Sequence, residues 1–316
     1  MPPWNLAVLR LRARRFGRAM LGLATPPHLL DISGRIDNPG AINSFAVLPP
    51  GLAAGAPLVV LLHGCTQNAA LIANGTGWGA LAETAGFALL LPQQTEAKNP
   101  RRCFNWFLPT ETARGQGEAA SIMAGVAALI ANHRLDPARV YVTGLSAGGA
   151  MTSQLLAAYP EVFAAGAILA GLPAGAAGDV AGALTAMQTG APRPDESWAA
   201  AVRAASPHAG PWPRVSIWHG THDPVVNPLA ADGIVAQWRL LHGLPETPSL
   251  LPGATPAHRL EVWRDAAGNT VLERNTVAGL AHGVPLGGRT GRPGPHFLPV
   301  GIDSTRRIAR FFGVID

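Results

Sequence analysis

A serine bracketed by glycines, Gly144-Leu145-Ser146-Ala147-Gly148, is the stretch of this sequence best equipped for covalent chemistry. A serine hydroxyl is a weak nucleophile near neutral pH. It needs an imidazole to take its proton and a carboxylate to hold that imidazole in the right tautomer. Asp223 and His282 follow downstream, in the order Ser, Asp, His that a G-x-S-x-G serine uses. Together the three could carry acyl transfer through a covalent acyl-enzyme, a chemistry that needs no cofactor. Ten histidines compete for the role of base. His63 and His219 each precede a glycine at a strand-end turn and read as loop braces. His222 abuts Asp223 too closely to swing onto Ser146, and His296 sits in a proline-rich tail segment. His282, between Gly279 and Gly283 after a hairpin pattern, is the choice. Asp232 and Asp265 read as solvent-facing helix or turn residues, which leaves Asp223 as the acid.

The tetrahedral intermediate of acyl transfer also needs donors for its oxyanion. The backbone N–H of Ala147 directly follows the nucleophile. A second N–H should come from the loop after the apolar run that ends at Leu62, which nominates Cys65 or Thr66. Cys65 and Cys103 belong to the same rim. They are either a disulfide, which would stabilise by about 3 to 4 kcal/mol for a loop of this length, or two buried thiols of a reducing compartment. No histidine or cysteine spacing suggests a metal site.

Positioning such a set requires a strand that delivers the serine and a helix that leaves it. Val140, Tyr141 and Val142 supply a buried strand, and Met151, Leu155, Leu156 and Tyr159 recur at helical spacing up to Pro160. The turn between them must be so tight that side chains at 144 and 148 would collide, which is why both are glycine. Apolar runs at 57–62, 87–92, 165–169 and 215–218 read as strands buried on both faces. Helical patterns at 77–85 and 118–134 alternate with them. The result is an α/β class with a mostly parallel, doubly wound sheet. Runs at 29–36 and 42–48 flank Asn38-Pro39-Gly40 and predict an antiparallel N-terminal edge hairpin. A second hairpin is expected from 259–263 and 270–276, and a closing helix over 304–312. Residues 173–213, rich in Ala, Gly and Pro with one helical piece near 198–204, read as a lid insertion or a plain packed insertion.

At 316 residues and 48% hydrophobic, the chain can bury one large core. The net charge of +5 is local. Arg10, Arg12, Arg14, Arg15 and Arg18 lie in an acid-free arm, residues 1–25, and the remaining basic and acidic residues cancel. Nucleic-acid binding has no support in the body. No apolar run is long enough for a membrane span. The arm alternates apolar residues with its arginines, as a membrane-surface helix does or as a helix packed on the body does. Its apolar stretch is too interrupted for a cleavable signal peptide.

Five motifs in register then match something known: His63-Gly64-Cys65-Thr66-Gln67; Cys103-Phe104-Asn105-Trp106-Phe107; Gly144 to Met151 around the serine; His219-Gly220 with Asp223-Pro224-Val225-Val226; and Gly279-Leu280-Ala281-His282-Gly283. They resemble the polyhydroxybutyrate depolymerase family of serine esterases, itself similar to feruloyl and acetylxylan esterases. The resemblance runs from about residue 29 to 312. It implies an α/β-hydrolase catalytic domain over 26–316 with Ser146, Asp223 and His282 as triad. It also implies a Cys65–Cys103 disulfide, an oxyanion N–H from Cys65, Trp106 in the substrate cleft, and a secreted setting. Phe104 and Trp78 are expected to add apolar cleft surface. Polymer-degrading members carry an adsorbing domain, and here the sequence stops at Asp316 after its last helix. That shifts the expectation to hydroxybutyrate oligomers and short aliphatic esters, with feruloyl or acetylxylan ester cleavage as the enzymatic alternative. A non-catalytic binding protein on the same fold is the remaining class, and the three triad residue types at loop positions argue against it. The sequence says nothing of oligomeric state.

Overall fold

The computed structural model describes residues 28–288 and 290–316, so the basic arm lies outside the described residues. A ten-stranded sheet organises them, in the order β1-β2-β4-β3-β5-β6-β7-β10-β9-β8. Its centre is parallel: β4 (Ala88–Gln93), β3 (Leu58–Leu62), β5 (Val140–Leu145), β6 (Ala165–Leu169), β7 (Arg214–Gly220) and β10 (Thr270–Val277). Antiparallel strands flank it, with β1 (Leu30–Asp31) and β2 (Asn43–Val47) at one edge and β9 (His258–Arg264) and β8 (Ser249–Leu251) at the other.

Pleating explains why the central strands are apolar throughout. Leu58, Val60 and Leu62 of β3 enter one core cluster, while Val59 and Leu61 enter the other. Helices α4 (Gly117–His133), α5 (Ala147–Ala158) and α8 (Ala230–Leu241) feed the first layer through Ile122, Leu155 and Trp238. Helices α1 (Ala69–Thr76), α2 (Trp78–Ala85) and α9 (Ser304–Phe312) feed the second through Ile72, Leu81 and Ile308. A four-residue helix, α3 (Pro109–Thr112), precedes α4.

The parallel order, the elbow strand, the second hairpin and α9 stand as the sequence predicts. Three details differ. The expected strand over 29–36 stops at Asp31, because the Ser33 N–H and hydroxyl both donate to the Asp31 carboxylate and turn the chain into a 3-10 segment. Helix α1 is an addition, started by Asn68 accepting from the Leu71 N–H. Residues 173–213 hold two helices, α6 (Val180–Thr189) and α7 (Asp195–Ala205). Gln237 of α8 ties down their entry by bonding Ala174 with both side-chain polar groups, at 3.2 and 2.8 Å.

The tightest constraint lies at the end of β5. A Cβ on Gly148 would sit 2.4 Å from the Leu62 carbonyl oxygen and 2.6 Å from that of His63; one on Gly144 would sit 2.4 Å from the Gly148 oxygen. All of these neighbours are backbone and cannot rotate away. Gly148→Ala is therefore expected to destabilise the fold by at least about 2 kcal/mol, read as a lower midpoint in urea denaturation with the slope unchanged.

Candidate active site

Ser146 stands where β5 becomes α5, with φ 59° and ψ −119°. Few non-glycine residues adopt such angles, and holding one costs about 1 to 3 kcal/mol. The Ser146 N–H donates to Leu169 O at 2.9 Å and its carbonyl accepts from Ala150 at 2.8 Å, so backbone bonds on both sides hold the bend. The residue remains 8% exposed and lines a cleft.

Asp223 follows β7 and His282 follows β10, and adjacent parallel strands bring the two loops together. The loops are also stitched directly. The Thr221 N–H donates to Val277 O at 3.0 Å, the His222 N–H to Leu280 O at 3.1 Å, and the Gly279 N–H to Thr221 Oγ1 at 3.0 Å. Asp223 Oδ1 accepts from the Val225 and Val226 N–H groups at 2.8 and 2.9 Å. Its Oδ2 lies 2.7 Å from His282 Nδ1 and 3.2 Å from His219 Nε2. Burial alone would disfavour the charge. The bonds from His219, His282 and Val226 outweigh it and hold the carboxyl well below the usual carboxylate range. With Nδ1 committed to Asp223, the His282 tautomer leaves Nε2 free to take a proton. His282 and Ser146 line one cleft. Among the described residues Ser146 Oγ makes no hydrogen bond to His282, as is common before substrate draws such pairs together.

The two nominees for the second oxyanion donor separate cleanly. The Thr66 N–H is spent on Arg101 O at 2.6 Å, whereas no hydrogen bond from the Cys65 or Ala147 N–H occurs among the described residues. Both residues line the cleft beside Ser146. Cys65 and Cys103 form a disulfide across 38 residues, tying the loop after β3 to the one after β4.

The cleft encloses about 460 Å³. Trp106 lines it, as expected, together with Phe107. Two expected cleft residues do not. Phe104 is fully buried with its ring 4.8 Å from that of His63, on the inner side of a loop that the Asn105–Glu118 bonds hold down. Trp78 lies in the far core layer against Phe87 and Phe312, held there by α2. The missing apolar wall comes from α6, whose Val180, Ala183, Leu184 and Met187 face the cleft. Their i, i+3, i+4, i+7 spacing is legible in the sequence but diluted by surrounding alanine and glycine. His296, dismissed as tail, also lines the cleft. Among the described residues no group of three or more His, Cys, Asp or Glu side chains could hold a metal ion, and no helix is long and apolar enough to cross a membrane.

Residues 43–261 match the family model described as Esterase PHB depolymerase. Poly(3-hydroxyalkanoate) depolymerase C of Paucimonas lemoignei is 41% identical over 295 residues, covering 91% of this chain and 70% of that protein. Feruloyl esterase B of Talaromyces funiculosus is 29% identical over 274 residues, covering 84% and 76%. Among solved structures, the acetyl xylan esterase from Aspergillus awamori superposes with a TM-score of 0.77 at 24% identity, covering 91% of this chain and all of that one.

Behind the cleft wall, Glu118 of α4 is fully buried and acts only as an acceptor. Gln94 Nε2 and Asn105 Nδ2 donate to Oε1, and the Asn105 N–H donates to Oε2. Burial pushes this carboxyl up to about 7 in spite of those bonds. A raised folded-state pKa means that the group's contribution to stability is fully present below about 4.5 and is lost as pH rises through about 7. Glu118→Gln removes that titration. The stability of the native protein relative to this variant should fall by up to about 3 kcal/mol between pH 4.5 and 8, measured by denaturation at each pH.

Proposed function

The chain belongs to the esterase PHB depolymerase family, and from that premise we propose a serine esterase that hydrolyses hydroxybutyrate oligomers and related short aliphatic esters. The observation that carries the reading is the 2.7 Å contact of His282 Nδ1 with a buried, ionised Asp223, made in the same cleft as a serine on a strained strand-to-helix bend. Ser146 Oγ attacks the ester carbonyl as His282 Nε2 takes its proton. The oxyanion is received by the N–H groups of Ala147 and Cys65, at the N-terminus of α5 and on the disulfide-tied loop. His282 returns the proton to the leaving alcohol, and water repeats the sequence on the acyl-enzyme. Asp223 stays ionised throughout and stabilises the imidazolium. His219 Nε2 lies 3.2 Å from the same carboxylate and is hydrogen-bonded to Val226 O at 3.1 Å, a positioning residue for the loop of the acid.

The substrate class is supported by the wall of α6, whose aliphatic side chains suit methyl-bearing acyl units better than a flat aromatic acid. It is supported also by the relative named as a poly(3-hydroxyalkanoate) depolymerase. The relatives named feruloyl and acetylxylan esterases keep carbohydrate ester cleavage as the second reading. The disulfide fits an oxidising, extracytoplasmic setting.

Ser146→Ala should lower kcat on a p-nitrophenyl butyrate assay by at least about 10⁴-fold while the circular dichroism spectrum and unfolding temperature are retained; residual turnover near the native rate would place the nucleophile elsewhere. For the substrate class, the native enzyme should show a higher kcat/KM on a 3-hydroxybutyrate trimer than on methyl ferulate, and the opposite ranking would favour the carbohydrate-ester reading.

A further inference from the structure

The cleft holds a second histidine that the triad does not use. Strands β11 (Val284–Leu286) and β12 (Phe297–Pro299) form a two-stranded parallel ribbon, with Val284 paired to Phe297. The Val284 N–H donates to His296 O at 2.8 Å, so the residues just before the two strands lie side by side. There is no slack between them, since a Cβ on Gly283 would sit 2.6 Å from His296 O. The pairing sets the His296 ring edge-to-face with that of His282, centroids 5.7 Å apart, and puts its Nδ1 3.0 Å from the His282 carbonyl oxygen. A carbonyl only accepts, so Nδ1 carries the proton. The neutral ring therefore offers Nε2, on its opposite edge, as an acceptor. His296 also has a left-handed backbone, φ 66°, which is uncommon outside glycine and clusters at functional sites.

The other polar side chains around the cleft are engaged with their own loops. The Thr66 hydroxyl donates to Cys65 O, Gln67 Oε1 accepts from the Gly64 N–H, and Asn99 Oδ1 accepts from the Arg101 N–H. Arg101 can only donate, and the α6 wall is aliphatic. We propose that His296 reads a hydroxyl on the substrate: its Nε2 accepts the free 3-O–H of a hydroxyl-terminal 3-hydroxyacyl unit, inner units having that oxygen esterified, and separates such esters from plain acyl esters of the same length. This rests on the esterase reading and names the feature by which the site selects within that class.

Two esters that differ by one oxygen test it, p-nitrophenyl 3-hydroxybutyrate and p-nitrophenyl butyrate. The native enzyme should favour the hydroxylated ester by about tenfold in kcat/KM. In His296→Asn, where asparagine accepts the left-handed backbone, and in His296→Ala, that ratio should fall to near one, chiefly through a higher KM for the hydroxylated ester. Unfolding temperatures check that each variant is folded, and the asparagine variant decides if the alanine variant is not. A native ratio near one overturns the proposal. So does a preserved ratio in the folded variant with both rates lowered together, which would make His296 a brace for the His282 loop. Hydrolysis of the butyrate ester by the native enzyme tests the esterase reading separately, so the two failures are distinct results.

Discussion

The backbone bend at Ser146 is the constraint on which the rest of the structure depends. A residue at φ 59° and ψ −119° is unfavourable in isolation, and the fold holds it by surrounding the bend with things that cannot move. Strand β5 lies in the middle of the parallel run, paired to β3 over 140–144 and to β6 over 141–145. The carbonyls of Leu62 and His63 press on Gly148 from one side, and the backbone of Gly171 packs against Gly149 from the other. Any side chain at 144 or 148 would push strand ends apart, so the nucleophile's exposure and the sheet's integrity are the same requirement. The first turn of α5 then needs no aiming of its own. Its free N–H groups point where the bend puts them, beside the Ser146 side chain, where the proposed mechanism needs oxyanion donors.

A second dependence is electrostatic and runs through Asp223. A carboxylate whose side chain is fully shielded from water would ordinarily take up a proton, and a protonated Asp could not stabilise an imidazolium. Two backbone N–H groups on Oδ1 and the His282 imidazole on Oδ2 prevent this, with His219 Nε2 3.2 Å away. Glu118 shows the contrast within the same protein. It too is buried and bonded by three donors, but burial prevails and its carboxyl is raised. Glu118 is enclosed more deeply than Asp223, so the amides of Gln94 and Asn105 do not offset its desolvation, whereas the bonds at Asp223 outweigh a smaller one. One acid is thereby kept ready as a permanent anion near the chemistry. The other anchors the loop of Asn105 and Trp106 with a net cost near neutral pH.

Much of this was legible in the sequence because the bend demands specific residues at fixed offsets. Two glycines around a serine, a β-branched run before it and helical spacing after it leave few other geometries, and they identify the strand and the helix and nominate the serine between them. Asp223 and His282 were legible for a related reason: both stand just past a strand, at the end where the elbow also opens. What the sequence could not resolve depends on side-chain direction within loops and on elements with weak patterns. Phe104 and Trp106 are two residues apart in the same loop, yet one supports His63 and the other the cleft, a choice made by the Asn105–Glu118 bonds between them. Trp78 begins the helix that the pattern over 77–85 predicts, but which way its side chain turns is set by packing against Phe87 and Phe312 in the core.

The division between what sequence reveals and what it hides follows the division of labour in the site. Chemistry is set by a few atoms whose positions are fixed by backbone, so it leaves strict residue requirements. Selectivity is set by walls, where many residues of similar shape serve equally well. The α6 wall illustrates this: Val180 and Leu184 are more than half exposed and contribute little to folding, so nothing in the core constrains their identity. The polar side of the cleft is different, because its groups are bound into loops that the triad needs, the Cys65 loop through its disulfide and the His296 segment through the β11–β12 ribbon. A substrate feature that contacts the polar side is therefore recognised by parts held to the same precision as the catalytic atoms, whereas the aliphatic side can vary in size and shape without disturbing them.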